Sequence, residues 1–158
     1  MTLEGLDDLD RAILGELQRD ARHASSGKIA ESMGVSASTV RKRIQRLESE
    51  GIITGYHAMV DYERAGYPLE VLLFCTAPIP DREEAAQDAI DIKGVVQVQE
   101  VATGEENLLV TAVAENTDEL TAIAQQLAEL GLNIGEEELV RGNDLVTYHR
   151  FSAEEIEE

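Results

Sequence analysis

Three residues in the first third of the chain, Ala30, Gly34 and Val40, constrain the fold more than any other feature. A small residue lets two helices cross closely, and glycine supplies the backbone angle of a tight turn. Valine at the third position packs the second helix onto the first. Ser36 is placed to cap that second helix, and Gly51 to end it. The spacing therefore predicts a helix-turn-helix.

The second predicted helix has an apolar face of Val40, Ile44 and Leu47, since helical geometry places these three within about 60° of one another. No acidic residue occurs from position 37 to position 47. A helix in the major groove of DNA needs donors for phosphate oxygens and base edges, and this polar face supplies them. We expect DNA contacts from Ser36, Ser38, Thr39, Arg41, Lys42, Arg43, Gln45 and Arg46. The alternative is a solvated basic face on a helical hairpin.

Other patterns in the first half predict two helices, a wing and a linker. Apolar residues recur at helical spacing from Leu6 to Leu17, and a shorter helix follows residues 25 and 26. The stretch from Ile52 to Tyr62 is typical of a short hairpin or wing. Glycine and proline at positions 66 and 68 mark a linker. We therefore expect a DNA-binding domain over residues 1–62 and a linker over 63–68.

The second half of the chain changes to a strand-and-helix pattern. Apolar runs predict strands at 69–77, 95–101 and 108–114, and capping patterns open helices at Asp81 and Asn116. Two final strands are predicted near Ile134–Val140 and Leu145–Phe151, joined by a turn at 142–144. Two strand-helix-strand units form a ferredoxin-like βαββαβ sandwich. We therefore predict an α+β protein, with this domain over 69–152 and a frayed acidic tail over 153–158.

Acidic residues dominate the composition and are unevenly distributed. The chain has 32 acidic and 13 basic residues, a net charge of −19. Residues 1–66 have 11 acidic and 9 basic side chains, whereas residues 67–158 have 21 and 4. This asymmetry indicates two modules with different partners. A carboxylate-rich surface with only three lysines is typical of a cytoplasm that contains molar salt, so we expect a halophilic source.

Several classes of protein are excluded by what the sequence lacks. No run approaches the roughly 18 apolar residues of a membrane span, so we expect a cytoplasmic protein with no membrane partner. A single cysteine, Cys75, excludes an internal disulfide, and we expect it in the core. The three histidines share no ligand spacing, and no phosphate-binding, nucleophile or zinc-protease motif occurs. We therefore predict no catalytic residue, no metal site and no cofactor.

Two segments together resemble the Lrp/AsnC (feast/famine) family of transcription regulators. They are Leu6-Asp7-x-x-Asp10-x-x-Ile13-Leu14 and Val35-Ser36-x-Ser38-x-Val40-x-x-Arg43-Ile44-x-x-Leu47-Glu48-x-x-Gly51-Ile52-Ile53-x-Gly55-Tyr56. The resemblance implies a winged helix-turn-helix followed by a RAM-type amino-acid-sensing domain. It also implies a homodimer that assembles through the C-terminal sheets, often into tetramers or octamers, and a small effector that is commonly an amino acid. Double-stranded promoter DNA is then the expected partner.

The same resemblance points to an effector site in the C-terminal domain. The family's turn between the second and third strands reads Thr-Gly-x-x-Asp-Leu-Leu, and this chain has asparagine at the acidic position. Where the family has two alternating threonines after the second helix, this chain has glycine and glutamate. The implied effector residues are Thr103, Gly104, Glu106, Asn107, Gly135 and Glu137. Our hypothesis is that Glu106 and Glu137 favour a cationic ligand; the alternative is that they are solvated surface.

Three functions are compatible with this organisation, and we expect the first. A sequence-specific transcription regulator accounts for the acid-free basic helix. An architectural DNA-binding protein would be basic overall. A tetrapyrrole (sirohaem) decarboxylase with a similar two-domain architecture would need a cationic pocket for its polycarboxylate substrate, whereas the second half of this chain is strongly acidic.

Overall fold

The change from helical to strand periodicity divides the structure, a computed structural model that describes residues 5–151, into two compact units. One unit comprises 5–58 together with 144–151, and the other comprises Met59–Asn143. The predicted frayed tail at 153–158 lies outside the described residues. No helix within 5–151 is long and apolar enough to cross a membrane.

Three helices form the first unit: α1 (Asp8–Asp20), α2 (Ser26–Met33) and α3 (Ala37–Ser49). The side chains of Asp7, Ser25 and Ser36 cap them by accepting backbone N–H bonds, which satisfies donors that a helix leaves unpaired at its start. Gly34 ends α2 in the left-handed conformation with φ 68°, as the turn of a helix-turn-helix requires. The predicted helix-turn-helix is therefore confirmed.

The core of the first unit is the contact surface of these helices. Ala30 and Val40 lie at the crossing of α2 and α3, and both are buried. They share the core with Ile13, Leu14, Ile29 and Leu47.

The chain after α3 has no regular secondary structure over residues 54–61, and the predicted hairpin over Ile52–Tyr62 does not form. The backbone N–H groups of Ile52 and Ile53 both donate to the carbonyl of Leu47, at 2.9 and 3.0 Å. Both side chains pack against the helical core. These contacts fix the start of the segment on α3, and its remaining residues have no strand partner within 5–151.

The second unit has the predicted βαββαβ order. Its elements are β1 (Leu69–Thr76), α4 (Arg82–Ile90), β2 (Val95–Glu100), β3 (Leu108–Ala114), α5 (Thr117–Glu129) and β4 (Asn133–Leu139), with a 3-10 turn (Ile79–Asp81) before α4. The sheet order is β2-β3-β1-β4, and all neighbouring strands are antiparallel. This topology confirms the α+β, ferredoxin-like prediction.

The two faces of this sheet differ in burial. Alternate residues of β1 and β3, such as Val71, Leu73 and Val110, are buried and form a core with α4 and α5. Cys75 belongs to this core as expected, and burial raises the pKa of its thiol to about 11. The residues between them are half-buried on the opposite face: Glu70, Leu72, Phe74, Leu109, Thr111 and Val113.

The final strand predicted at Leu145–Phe151 is wrong. Residues 140–148 have no strand partner, and His149–Phe151 form a 3-10 turn. The backbone N–H of Tyr148 donates to the side-chain Oε1 of Gln18 on α1, at 3.1 Å. Phe151 packs against the core of the first unit. These contacts with Gln18 and with the helical core hold the segment that the alternating sequence pattern assigned to the sheet.

Candidate nucleic-acid interface

The outward face of α3 presents polar side chains that have no hydrogen-bond or ion-pair partner among residues 5–151. Arg41, Lys42 and Gln45 are exposed, and none makes a side-chain hydrogen bond or ion pair within residues 5–151. They project from the side of α3 away from the buried Val40 and Leu47. These three are therefore available to hydrogen-bond an external ligand.

A cluster of hydroxyl groups lies at the start of α3. The Ser36 side chain accepts the N–H of Thr39 and lies 3.0 Å from the Ser38 hydroxyl and 2.8 Å from the Thr39 hydroxyl. Hydroxyls at a helix N-terminus are a recurrent way to hold a phosphate oxygen. The three predicted hydroxyl contacts are thus grouped on one end of α3.

Arg43 and Arg46 point instead toward α1. One guanidinium nitrogen of Arg43 lies 2.5 Å from the Asp7 carboxylate and 3.1 Å from that of Asp10. Arg46 donates to Asp10 at 2.6 Å. The DNA contacts predicted for both arginines remain predictions, and their partners within the chain are carboxylates of the first helix.

The two aspartates were not recognised as arginine partners from sequence, although a signal for one of them was present. Asp10 lies three residues before Ile13 and seven before Leu17, and therefore occupies the apolar face of α1. Its side chain is only 1% exposed. A carboxylate in such a place must find a cationic partner, because burying an unpaired charge is costly.

The residues predicted to hold an effector lie on the β2–β3 turn and on β4. The Asn107 amide is buried: its Oδ1 accepts the N–H of Ala77 and its Nδ2 donates to the carbonyl of Ala77, both at 2.8 Å. A carboxylate could not make the second of these bonds, which explains asparagine at this position. Thr76 donates to the carbonyl of Glu105 at 3.2 Å and also fixes the turn. Thr103 and Gly104 are exposed at its tip.

Glu106 and Gly135 are brought together. A Cβ atom at position 135 would lie 2.9 Å from the Glu106 Oε1, so the carboxylate occupies the space that a side chain on β4 would need. Gly135 lies at a bulge in the pairing of β4 with β1. Glu137 is exposed two residues further along β4, where it pairs in register with Leu73. Within 5–151, no group of three or more histidine, cysteine or acidic side chains is arranged to hold a metal ion.

The chain is similar to known regulators over both units. Residues 6–54 match a family described as winged helix-turn-helix DNA-binding. The chain is 35% identical over 112 residues to the HTH-type transcriptional regulator LrpA of Mycobacterium tuberculosis, covering 70% of this chain and 74% of that protein. It is 33% identical over 115 residues to the leucine-responsive regulatory protein of Rhizobium meliloti, covering 70% and 72%.

The chain belongs to the Lrp/AsnC family of transcriptional regulators.

A solved structure extends this likeness to the whole fold. The feast or famine regulatory protein of M. tuberculosis, complexed with L-methionine, matches with a TM-score of 0.76 and 27% identity, covering 88% of this chain and 94% of that one. Because the relatives are named as transcriptional regulators, this chain is a regulator and not an enzyme, and the decarboxylase alternative is not supported.

The cluster of Asp7, Asp10, Arg43 and Arg46 fixes how α3 of this regulator is held against α1. The Asp10 carboxylate lies between two guanidinium groups that are 29% and 36% exposed, and its lone pairs are met by both. Asp7 also forms a capping box with Asp10 at the start of α1. Two helices distant in sequence are therefore held by charge-assisted hydrogen bonds as well as by apolar packing.

We predict that Asp10→Asn lowers the free energy of unfolding by at least about 2 kcal/mol, because two partly buried guanidinium groups lose their shared carboxylate. The matched control is Asp8→Asn, which removes an exposed carboxylate 3.5 Å from Arg11 in the same helical turn. We expect the control to lower it by less than about 1 kcal/mol. Urea unfolding at constant salt measures both, and equal effects would contradict the role given to Asp10.

A second prediction concerns acid. The N–H of Asp10 and the guanidinium of Arg43 hold the pKa of the Asp7 carboxyl below its usual range. Its contribution to stability is complete above the ordinary aspartate pKa and is lost as pH falls through the lowered value. We expect Asp7→Asn, which keeps a capping acceptor, to flatten the dependence of the unfolding free energy on pH below about 4. An unchanged slope in urea titrations would contradict this.

Proposed function

We propose that this regulator reads its operator in the major groove with α3, using Arg41, Lys42 and Gln45 on base edges. The supporting observation is that these three side chains are exposed and uncommitted on a helix with no acidic residue from 37 to 47. Ser36, Ser38 and Thr39 then donate to phosphate oxygens. Arg43 and Arg46 contribute chiefly by holding α3 against α1. Their remaining guanidinium N–H groups donate to phosphate oxygens of the DNA backbone.

The protein acts as a homodimer, and these dimers assemble further into tetramers or octamers. The sheet face that includes Leu72, Phe74 and Leu109 supports pairing through the C-terminal sheets, because these apolar side chains are only half-buried by the described residues 5–151. Two recognition helices in a dimer match an imperfect palindrome with half-sites about one DNA turn apart. Because the ligand is chromosomal DNA, we also propose a cytoplasmic location.

The effector we propose is an amino acid with a cationic side chain. The related protein complexed with L-methionine supports an amino-acid ligand for this fold. The proposed rim consists of Thr103, Gly104, Glu106, Asn107, Gly135 and Glu137. Glu106 determines that the site prefers a cationic ligand, since its carboxylate lies over Gly135 and makes no hydrogen bond or ion pair within 5–151. Asn107 contributes by fixing the turn from beneath.

An acidic protein can bind DNA in the proposed halophilic setting because molar salt screens long-range repulsion. The Debye length falls to about 3 Å at 1 M salt, so the carboxylates of the second unit act over short distances only. Counterion release then contributes little to affinity. Close hydrogen bonds and shape must provide the discrimination between sequences, as the uncommitted face of α3 allows.

We expect Arg41→Ala and Lys42→Ala each to weaken operator binding by about 1–3 kcal/mol while leaving the fold and assembly intact. The matched controls Arg64→Ala and Lys93→Ala remove the same charges outside the first unit, and we expect operator affinity to change by less than about 0.5 kcal/mol.

The measurement is titration of the DNA upstream of the protein's own gene, and of a scrambled fragment, in molar KCl. Preference for the upstream fragment, lost in the two α3 variants, supports the sequence-specific reading. Equal binding to both fragments would favour the architectural alternative, and loss of assembly together with binding would assign α3 a structural role.

Calorimetry against the twenty amino acids in molar KCl tests the effector proposal. We expect heat from lysine or arginine and at least a tenfold weaker affinity in Glu106→Gln, because a charge-assisted hydrogen bond is worth about 1.5–3 kcal/mol. Glu105→Gln is the control, since this neighbouring residue is exposed on the same turn. Tight binding of leucine or aspartate alone would contradict a cationic ligand.

A further inference from the structure

The sheet face opposite α4 and α5, which we call the open face, bears acidic side chains beside apolar ones. On this face Phe74 of β1 lies opposite Glu136 of β4, and Leu72 lies opposite Glu138. Glu70 is half-buried two residues before Leu72, on the same face. Directly opposite residues of neighbouring strands have Cβ atoms about 4.5–5.5 Å apart. Three carboxylates therefore adjoin the apolar surface of the proposed dimer.

No basic residue accompanies these glutamates. The four strands contain no lysine, arginine or histidine at any position. None of the three carboxylates has a hydrogen-bond or ion-pair partner among residues 5–151. The residues of β2 and β3 on the same face are uncharged: Gln97, Gln99, Leu109, Thr111 and Val113. The strands therefore give the open face negative charge only.

A second copy of the chain brings the same charges to this face. Sheets that pack face to face lie about 10 Å apart, which is also about the Debye length at 0.1 M salt. Carboxylates on the two surfaces therefore repel one another across the interface at low salt. At 1 M salt the Debye length is about 3 Å, so this repulsion is screened while burial of the apolar side chains still favours contact.

We propose that pairing of two copies through the open face depends on salt: the copies associate when molar salt screens Glu70, Glu136 and Glu138, and they separate at low salt. This inference rests on the proposed pairing of the C-terminal sheets. Its consequence is regulatory, because two linked recognition helices bind a palindrome more tightly than one. Operator affinity then rises with KCl, whereas counterion release makes ordinary protein–DNA affinity fall.

The test is sedimentation equilibrium of the full chain at about 0.1 M and about 2 M KCl. We expect the wild type to dimerise at least about tenfold more weakly at the lower concentration. Glu136→Gln/Glu138→Gln removes two of the three carboxylates, so we expect its dissociation constant at low salt to be about tenfold below that of the wild type. At the higher concentration the two proteins should agree within about twofold, because the charges are screened.

Glu83→Gln/Glu129→Gln is the matched control. It removes the same number of charges from the second unit, at exposed positions on α4 and α5, which cover the other face of the sheet. We expect this control to dimerise like the wild type within about twofold at both concentrations. Circular dichroism verifies folding. If the wild type unfolds at low KCl, sucrose is added to every protein, because it favours the compact state without screening charge.

Operator titration of the same proteins gives a second readout. At a protein concentration where the wild type dissociates at low salt, we expect its apparent operator affinity to rise at least about fivefold from about 0.1 M to about 1 M KCl. Glu136→Gln/Glu138→Gln should bind at least about fivefold more tightly than the wild type at low salt. Neither substitution lies in the DNA-binding unit, so this gain can come only through assembly.

The outcomes separate the salt dependence from the proposed function. Equal dimerisation of the wild type at both salt concentrations, or a control that acts as strongly as the open-face variant, would overturn the salt dependence alone. A wild type that stays monomeric at high salt, or a dimer that neither Leu72→Ser nor Phe74→Ser weakens there, would instead overturn the proposed pairing of the sheets.

Discussion

The DNA-binding unit depends on one buried carboxylate. Asp10 is enclosed on the apolar face of α1, and Arg43 and Arg46 of α3 reach it from a distance of more than thirty residues in sequence. Apolar packing alone would let two short helices slide, because it is not directional. Two charge-assisted hydrogen bonds to one buried group set the rotation of α3 about its own axis. That rotation decides which of its cations remain outside.

As a consequence, the basic residues of α3 have two different roles: some bind α1, and others remain exposed for a ligand. Arg43 and Arg46 are three positions apart and face α1, whereas Arg41, Lys42 and Gln45 face outward. The charge that binds the helix to its neighbour is therefore separate from the charge left for a ligand. Although the chain has a net charge of −19, the outward face of α3 has no acidic residue. The arginines that face inward are both paired with carboxylates, which avoids an unpaired buried cation.

Patterns within a few residues correctly predicted the helix caps, the turn and the strand that depend on neighbouring residues. The caps at Ser36 and Asn116, the turn at Gly34 and the strand over Leu108–Ala114 follow from spacing within a few residues. The hairpin after α3 and the strand over Leu145–Phe151 were predicted wrongly for one shared reason. Alternating apolar residues record that a segment is half-buried, not which surface buries it. Here α3 supplied that surface for the residues that directly follow it, and α1 supplied it for a segment distant in sequence.

The same limit applies to the candidate site, and α1 shows where it could have been overcome. An aspartate on an apolar face and a glycine in a helix interior both break the local rules for a helix. Each violation corresponds to a long-range contact, Asp10 with two arginines and Gly15 with the backbone of Phe151. Residues that are locally unfavourable are therefore the ones that report tertiary structure. α1 has no predicted contact with DNA, but it holds α3, which carries the predicted contacts. It follows that sequence changes on α1 are well placed to alter the orientation of α3.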